Sequence, residues 1–333
     1  MSELNQNLTS YKETKVINQS FKKNLIRFLR KWGTPIGIIV LGVFFTTQTP
    51  YFLTSTNLLN IVRQAATITL IAFGLTFVVA VGYFDISLGA IAGACGILAT
   101  FLMALEFPFI IALSAAIGLG AILGGVNGYA VAKLRINDFL ATVAMMYVAQ
   151  GLDILLSKGT NIFVDTTRYK SFLAIGQGDI GLIPIAVIIV FGIGLVSHIL
   201  LNWLPFGRRV YAIGENQRVA YLSGVKTTKY ILLAFVIAGM LYAVGGVMLT
   251  ARLGAGKSLA GMPLLGDAIA AYALGVTFLK EGKAHILGTL VGGLFVGVMA
   301  NGFTLLNIPF YYQYITWPIA ILLAVSLSGS QRE

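Results

Sequence analysis

Apolar stretches about 20 residues long recur from one end of this 333-residue chain to the other. Each can cross the roughly 30 Å hydrocarbon layer of a bilayer as a helix. Ten such spans can be laid on the chain, at about 35–50, 62–82, 86–105, 108–132, 138–156, 182–202, 229–250, 259–279, 284–304 and 309–328. None has the strict alternation over ~10 residues that marks a barrel strand, so an all-α polytopic membrane protein is expected. Composition agrees. The chain is 57% hydrophobic and 11% charged, about half the charged fraction of a soluble domain.

A net charge of +11 raises the question of nucleic acid, but the Lys and Arg lie mostly between apolar runs, where they set orientation. With the N-terminus inside, 17 of the 23 fall in inner segments, including Lys133, Arg135, Arg208, Arg209, Lys280 and Lys283. Six fall outside: Arg63, Lys158, Arg168, Lys170, Arg252 and Lys257. Both termini are therefore expected on the cytoplasmic side. Residues 1–33 lack the apolar core and small-residue cleavage site of a secretory signal. Their "SFKKNLIRFLRKW" reads equally as a basic helix on an anionic leaflet or as a solvated tail. Residues 34–328 form the membrane domain, with a polar segment at about 206–229, and 329–333 form a short inner tail.

Two stretches echo one another. "VNGYAVAKLRINDFLATVAMMYV" from Val126 and "ANGFTLLNIPFYYQYITWPIAIL" from Ala300 both read small–Asn–Gly–aromatic, then a short polar break, then another span. They lie five spans apart and so face opposite sides, the relation expected of an inverted-topology repeat. Asp85, opening span three, and Asp267, in span eight, fit the same relation. Glycines spaced by four, at Gly89/Gly93, Gly120/Gly124/Gly128, Gly288/Gly292 and Gly293/Gly297, predict close helix packing.

Several motifs have plainer explanations than their outlines imply. "ARLGAGKS", Ala251 to Ser258, nearly spells a phosphate-binding loop, but it follows an apolar helix and has Ala251 where the first glycine belongs. Asp85, Asp153 and Asp267 are carboxylates at membrane depth or span ends, where charge is costly and often functional. Asp85 and Asp267 can also cap the helices they precede, and a cap can coincide with a pathway where a broken helix points into a cavity. Asp85, Asn127, Asp267 and Asn301 are the candidate pathway residues. His198 and His285 have no partners at metal-ligand spacing, Cys95 is the only cysteine, and no nucleophile elbow occurs. Neither catalysis nor a bound metal or cofactor is expected.

The segment "FGRRVYAIGENQRVAYLSGVKTTK", Phe206 to Lys229, interrupts the apolar pattern. Asn216 is a candidate N-cap, Gln217–Ser223 supply about two turns, and Gly224 suits a left-handed stop. So short a helix is marginal in water. Val219 and Leu222 would form its apolar face, so something must pack on it.

Here the chain resembles the permeases of ATP-binding-cassette importers of the ribose and simple-sugar type. The resemblance continues through "VGYFDISLGAIAG", "INDFLATVAMMYVAQGL" and "GDAIAAYALGVTFLKEGKAHILGTLVGGLFVGVMANGFTLLNI", covering about residues 60–328. It implies a bacterial inner-membrane location and a paired permease, identical or paralogous, with two cytoplasmic ATPase subunits that use ATP and Mg2+ and a substrate-binding protein outside. It also implies that Gly214, Glu215, Asn216, Val219, Ala220, Leu222, Ser223 and Gly224 dock on the ATPase. The chain departs from the family's usual pattern at Val219-Ala220, where paired Ala is usual, at Gly82-Tyr83-Phe84-Asp85, where Gly-Gly precedes the acid, and at "VTFLKEGKA". These departures leave the solute open between a pentose or hexose and a furanose-like signalling molecule or another small polar solute. Of the rival classes, a secondary transporter needs ion-coupling groups and has no use for an apolar-faced inner helix, and a channel needs a filter motif.

Overall fold

The computed structural model describes residues 32–278 and 282–309, together with 311, 312, 315, 316, 318 and 319. The basic tail, Lys280, most of the tenth span and the C-terminal tail lie outside the described residues. The helices are α1 (Trp32–Gln48), α2 (Ser55–Ala80), α3 (Leu88–Ala104), α4 (Phe109–Ala132), α5 (Asp138–Ser157), α6 (Lys170–Gln177), α7 (Ile185–Asn202), α8 (Pro205–Glu215), α9 (Gln217–Leu222), α10 (Thr227–Leu253), α11 (Leu264–Val276) and α12 (Ile286–Leu305). Six of them, α2, α4, α5, α7, α10 and α12, are long and apolar enough to cross a membrane, and α1, α3 and α11 are shorter apolar helices. This is a polytopic all-α membrane protein.

The packing has a centre and a rim. The apolar window of α2 is 83% buried, whereas those of α4, α5 and α7 are 28% buried and turn most of their side chains outward. α4 lies along α10, α12 along α2 and α11, and α3 between α10 and α5. The glycine spacings mark these contacts. Gly120, Gly124 and Gly128 meet Gly239, Phe235 and Leu232 of α10, and a Cβ at Gly124 would collide with the Phe235 carbonyl. Gly288 and Gly292 meet Gly275 and Ala271 of α11, while Gly293 and Gly297 meet Thr69 and Ala65 of α2. Backbones can approach this closely only where no side chain intervenes.

Two segments break the helical pattern inside the bundle. Phe84 N–H donates to Asp138 Oδ2 at the start of α5 (2.8 Å). Nine residues later, Gly93 faces the carboxylate of Asp153, 15 residues further along α5. Fifteen helical residues rise about 22 Å, whereas nine would rise only about 13 Å. The non-helical backbone before Leu88 supplies the difference, so α3 begins within the bundle. From the other end, residues 254–263 run antiparallel to α3, with Gly256 against Ile97 and Thr100 and Gly261 against Gly93 and Gly89. α11 then starts beside Gly89, whose Cβ would stand 3.1 Å from Leu265 N. Two helix N-termini thus meet in the interior, one helix leading to each end of the molecule.

The described helices depart furthest from the expected spans in two places. The eighth is 13 residues long and begins at Leu264, because the preceding residues descend as extended chain and turn. The second starts at Ser55, where Thr54 Oγ1 accepts from Asn57 N–H (3.4 Å). The long connection after α5 contains α6 and two short antiparallel pairings, 162–163 with 255–256 and 179–180 with 183–184.

Candidate coupling segment and interior polar sites

Phe206–Lys229 holds one helix more than expected. Pro205 occupies the first turn of α8, where its missing N–H costs nothing. Gly207, Val210 and Ile213 are the buried face of α8, an i, i+3, i+6 stripe. Arg209 bonds the Tyr230 hydroxyl and lies over its ring (5.3 Å). Tyr211 O–H donates to the Ala284 carbonyl (2.8 Å), and burial pushes its phenol up to about 12.

α9 forms as its cap predicts. Asn216 turns out of α8 in extended conformation and its side chain accepts from Val219 N–H (3.0 Å). At the other end Gly224 has φ +83. Gly224 N–H donates to Tyr221 O and Val225 N–H to Ala220 O, the paired bonds of a Schellman stop. Only Ala220 is buried. Val219 (57%), Tyr221 (67%) and Leu222 (76%) are exposed, as is Ser223, so this apolar edge has no partner within the described residues. Glu215 pairs with Lys283 (2.7 Å), which holds its carboxyl below the ordinary value. A cavity of about 770 Å3 opens beside α9, lined by Tyr83, Arg135, Asp138, Asn216, Gln217 and Tyr221, among others.

The coupling segment touches the break before α3 directly. Gly82, at φ +91, stands against Gly214, and a Cβ on Gly214 would collide with the Ala80 carbonyl oxygen. The next residue, Tyr83, donates its hydroxyl to Gln217 Oε1 (3.0 Å). Asp85, fully buried, accepts at Oδ1 from Ser87 N–H (2.8 Å) and Ser87 O–H (2.5 Å). Asn127 Nδ2 then donates to Ser87 Oγ (2.9 Å). The expected cap is therefore displaced. Ser87 is the residue at the α3 N-terminus, and Asp85 closes a two-residue turn ahead of it, the local bond its short side chain favours.

The four pathway candidates do not share one cluster of contacts. Asp85 and Asn127 are joined through Ser87. Asn301 instead forms a reciprocal amide pair with Asn57 (3.0 and 2.9 Å). Asp267 lies in the first turn of α11 rather than at its cap, within electrostatic reach of Arg252. Sequence reasoning missed Ser87, Asn57, Tyr83 and Gln217. The Asp-x-Ser spacing was a signal for Ser87, and the others become partners only through the fold. In the phosphate-loop look-alike, the residues before Gly254 continue the 27-residue α10, so no strand leads into the turn.

The family described as "Branched-chain amino acid transport system / permease component" matches residues 57–325. The ribose import permease protein RbsC of Bacillus subtilis is 37% identical over 299 residues, covering 90% of this chain and 92% of that protein. RbsC of Haemophilus influenzae is 33% identical over 312 residues, covering 92% and 96%. The D-allose transport system permease protein AlsC of Escherichia coli is 32% identical over 319 residues, covering 94% and 97%. No solved structure matches the chain significantly.

Proposed function

The chain belongs to the branched-chain amino acid transport system / permease component family, and we propose that it forms the membrane pathway of an ATP-driven importer whose solute is a monosaccharide such as ribose. The names of its relatives support the sugar class. α9 carries the mechanism. It is a six-residue helix, capped at both ends, with Val219 and Leu222 bare to solvent, and it is seated through Gly214, Gly82 and Tyr83 on the chain that leads into α3. A partner ATPase that closes over α9 pushes directly on that chain. ATP and Mg2+ belong to this partner, a substrate-binding protein delivers the solute at the opposite face, and a second permease copy completes the pathway.

The α8–α9 end faces the cytoplasm, as do both termini. Lys133, Arg135, Arg208, Arg209, Arg218, Lys226, Lys229 and Lys283 belong to that end, the excess that cytoplasmic loops carry. At the other end Arg63 and Arg168 are paired with Asp179 and Glu106. Ten spans in two inverted halves account for the interior N-termini of α3 and α11, since discontinuous helices that meet near the midplane recur in transporters built that way. Swapped partners support the same reading, with α4 of the first half along α10 of the second and α12 of the second along α2 of the first.

The test is reconstitution with the ATPase and binding protein. Leu222→Glu places a charge on the docking face, forfeiting about 1.5–3 kcal/mol of apolar burial. It should insert normally, lose copurifying ATPase and take up ribose at least about tenfold more slowly, while Lys229→Ala stays near wild type. Normal uptake by Leu222→Glu would remove α9 from the mechanism. Failure of the wild-type assembly to take up ribose, allose or xylose would remove the monosaccharide.

A further inference from the structure

The connection between α10 and α11 is held shut from one side by a single buried carboxylate. Asp153, one turn before the end of α5, is 1% exposed. Its Oδ1 accepts from Ser258 O–H (2.9 Å) and Leu259 N–H (3.1 Å). Ser157, four residues on, bonds Ser258 through the two hydroxyls (3.1 Å), and Gln150, just before Asp153, reaches Met262 Sδ (3.1 Å). One face of α5 therefore grips the segment along its length. Beneath it Gly261 rests on Gly89 and Gly93 with no side chain between.

Two features show that this closed arrangement is held under tension. Leu259 has φ +59, a left-handed conformation that a branched apolar residue adopts only when its surroundings impose it. The contacts of Asp153 load one oxygen alone, while Oδ2 is buried without a hydrogen-bond partner and faces Gly93. A bare buried carboxylate oxygen is a costly state that another arrangement can relieve.

We propose that Asp153 is the positioning residue of an outer latch, holding residues 257–262 closed over the start of α3, and that solute enters only when this contact releases. The assignment rests on the reading of the chain as an import pathway. The latch needs an acceptor at Oδ1 and no charge, so Asp153→Asn should keep it and Asp153→Ala should open it. Ala90, 4% exposed and adjoining the same contact, reports the opening.

The experiment uses the assembled transporter in a Cys95→Ala background. With Ala90→Cys, labelling by an impermeant thiol reagent from outside should rise about tenfold when Asp153→Ala is added, the effect of leaving the Ser258 and Leu259 donors without their acceptor, and should stay low with Asp153→Asn. Separately, Ser157→Cys with Ser258→Cys puts two thiols where the hydroxyls now lie 3.1 Å apart, so a small approach of the two segments reaches the about 2.05 Å of a disulfide. Oxidation should stop uptake and a reductant should restore it. Full uptake with the cross-link formed, or labelling of Ala90→Cys unchanged by Asp153→Ala, would overturn the latch. Wild-type uptake in the same vesicles keeps the import reading intact whichever way the latch falls.

Discussion

The chain passes into the bundle as non-helical backbone twice, before α3 and before α11, and these two inlets are held by different means. The first, residues 81–87, sits on two amphipathic helices. Gly82 lies against Gly214, Tyr83 bonds Gln217, and Asp85 is closed off by Ser87 and Asn127. Its polar contacts come from separate elements, Gln217 of α9, Asp138 of α5 and Asn127 of α4, so a displacement of α9 would be passed toward α3. The second, residues 254–263, leans on one face of α5 through Asp153, Ser157 and Gln150. Its grip comes from that one helix alone. The two inlets thus differ in whether several elements or one hold them.

That contrast can be broken most forcefully at the glycines. Gly214→Val places branched carbons against the Ala80 carbonyl, and overpacking of this kind costs about 1–3 kcal/mol. If the first inlet relays force, ATP hydrolysis should continue while uptake falls by one to two orders of magnitude, about what that energy range converts to. Gly261→Ala strikes the second inlet at the Gly89 carbonyl and should instead raise outside labelling of Ala90→Cys with hydrolysis still coupled. Identical phenotypes for the two variants would erase the distinction.

A smaller effect is expected at Asn216→Ala. Removing an N-cap costs about 1 kcal/mol, so α9 should fray and ATPase copurification fall about fivefold, with latch labelling unchanged. The smallest belongs to Glu215→Gln. The Glu215–Lys283 pair is exposed on both sides and should barely register in uptake at neutral pH. Lys283 lowers the Glu215 carboxyl, so whatever the pair contributes is present above the ordinary glutamate range and lost as pH falls through the lowered value. Wild type and variant should therefore converge in acid. Divergence there would assign Glu215 a partner besides Lys283.

Span positions were legible because long apolar runs leave little choice: α4 and α5 begin and end within one residue of their expected limits. The cap at Asn216 and the stop at Gly224 were legible for the same local reason. The length of α11 was not, since "LAGM" is as apolar as a helix, and its contacts with Gly89, Gly93 and α5 hold it in a turn ahead of Leu264. α8 was obscured by Arg208 and Arg209, which disguise its buried stripe as a charged loop. The partition of the polar residues was hidden entirely. Asn127 and Asn301 occupy matching words in the sequence, yet one serves a serine and the other a second asparagine, because their neighbours come from elements far along the chain.

The contact of α4 with α10 has a mechanical consequence. Along Gly120, Gly124 and Gly128 the two helices touch through their main chains, with no side chain between them to swing and absorb a displacement. Such a pair bends as a laminated beam, stiffer than either strip alone. α10 follows α9 after only four residues. A movement begun at that short helix would reach the bundle as a shift of paired main chains rather than as a change of rotamers.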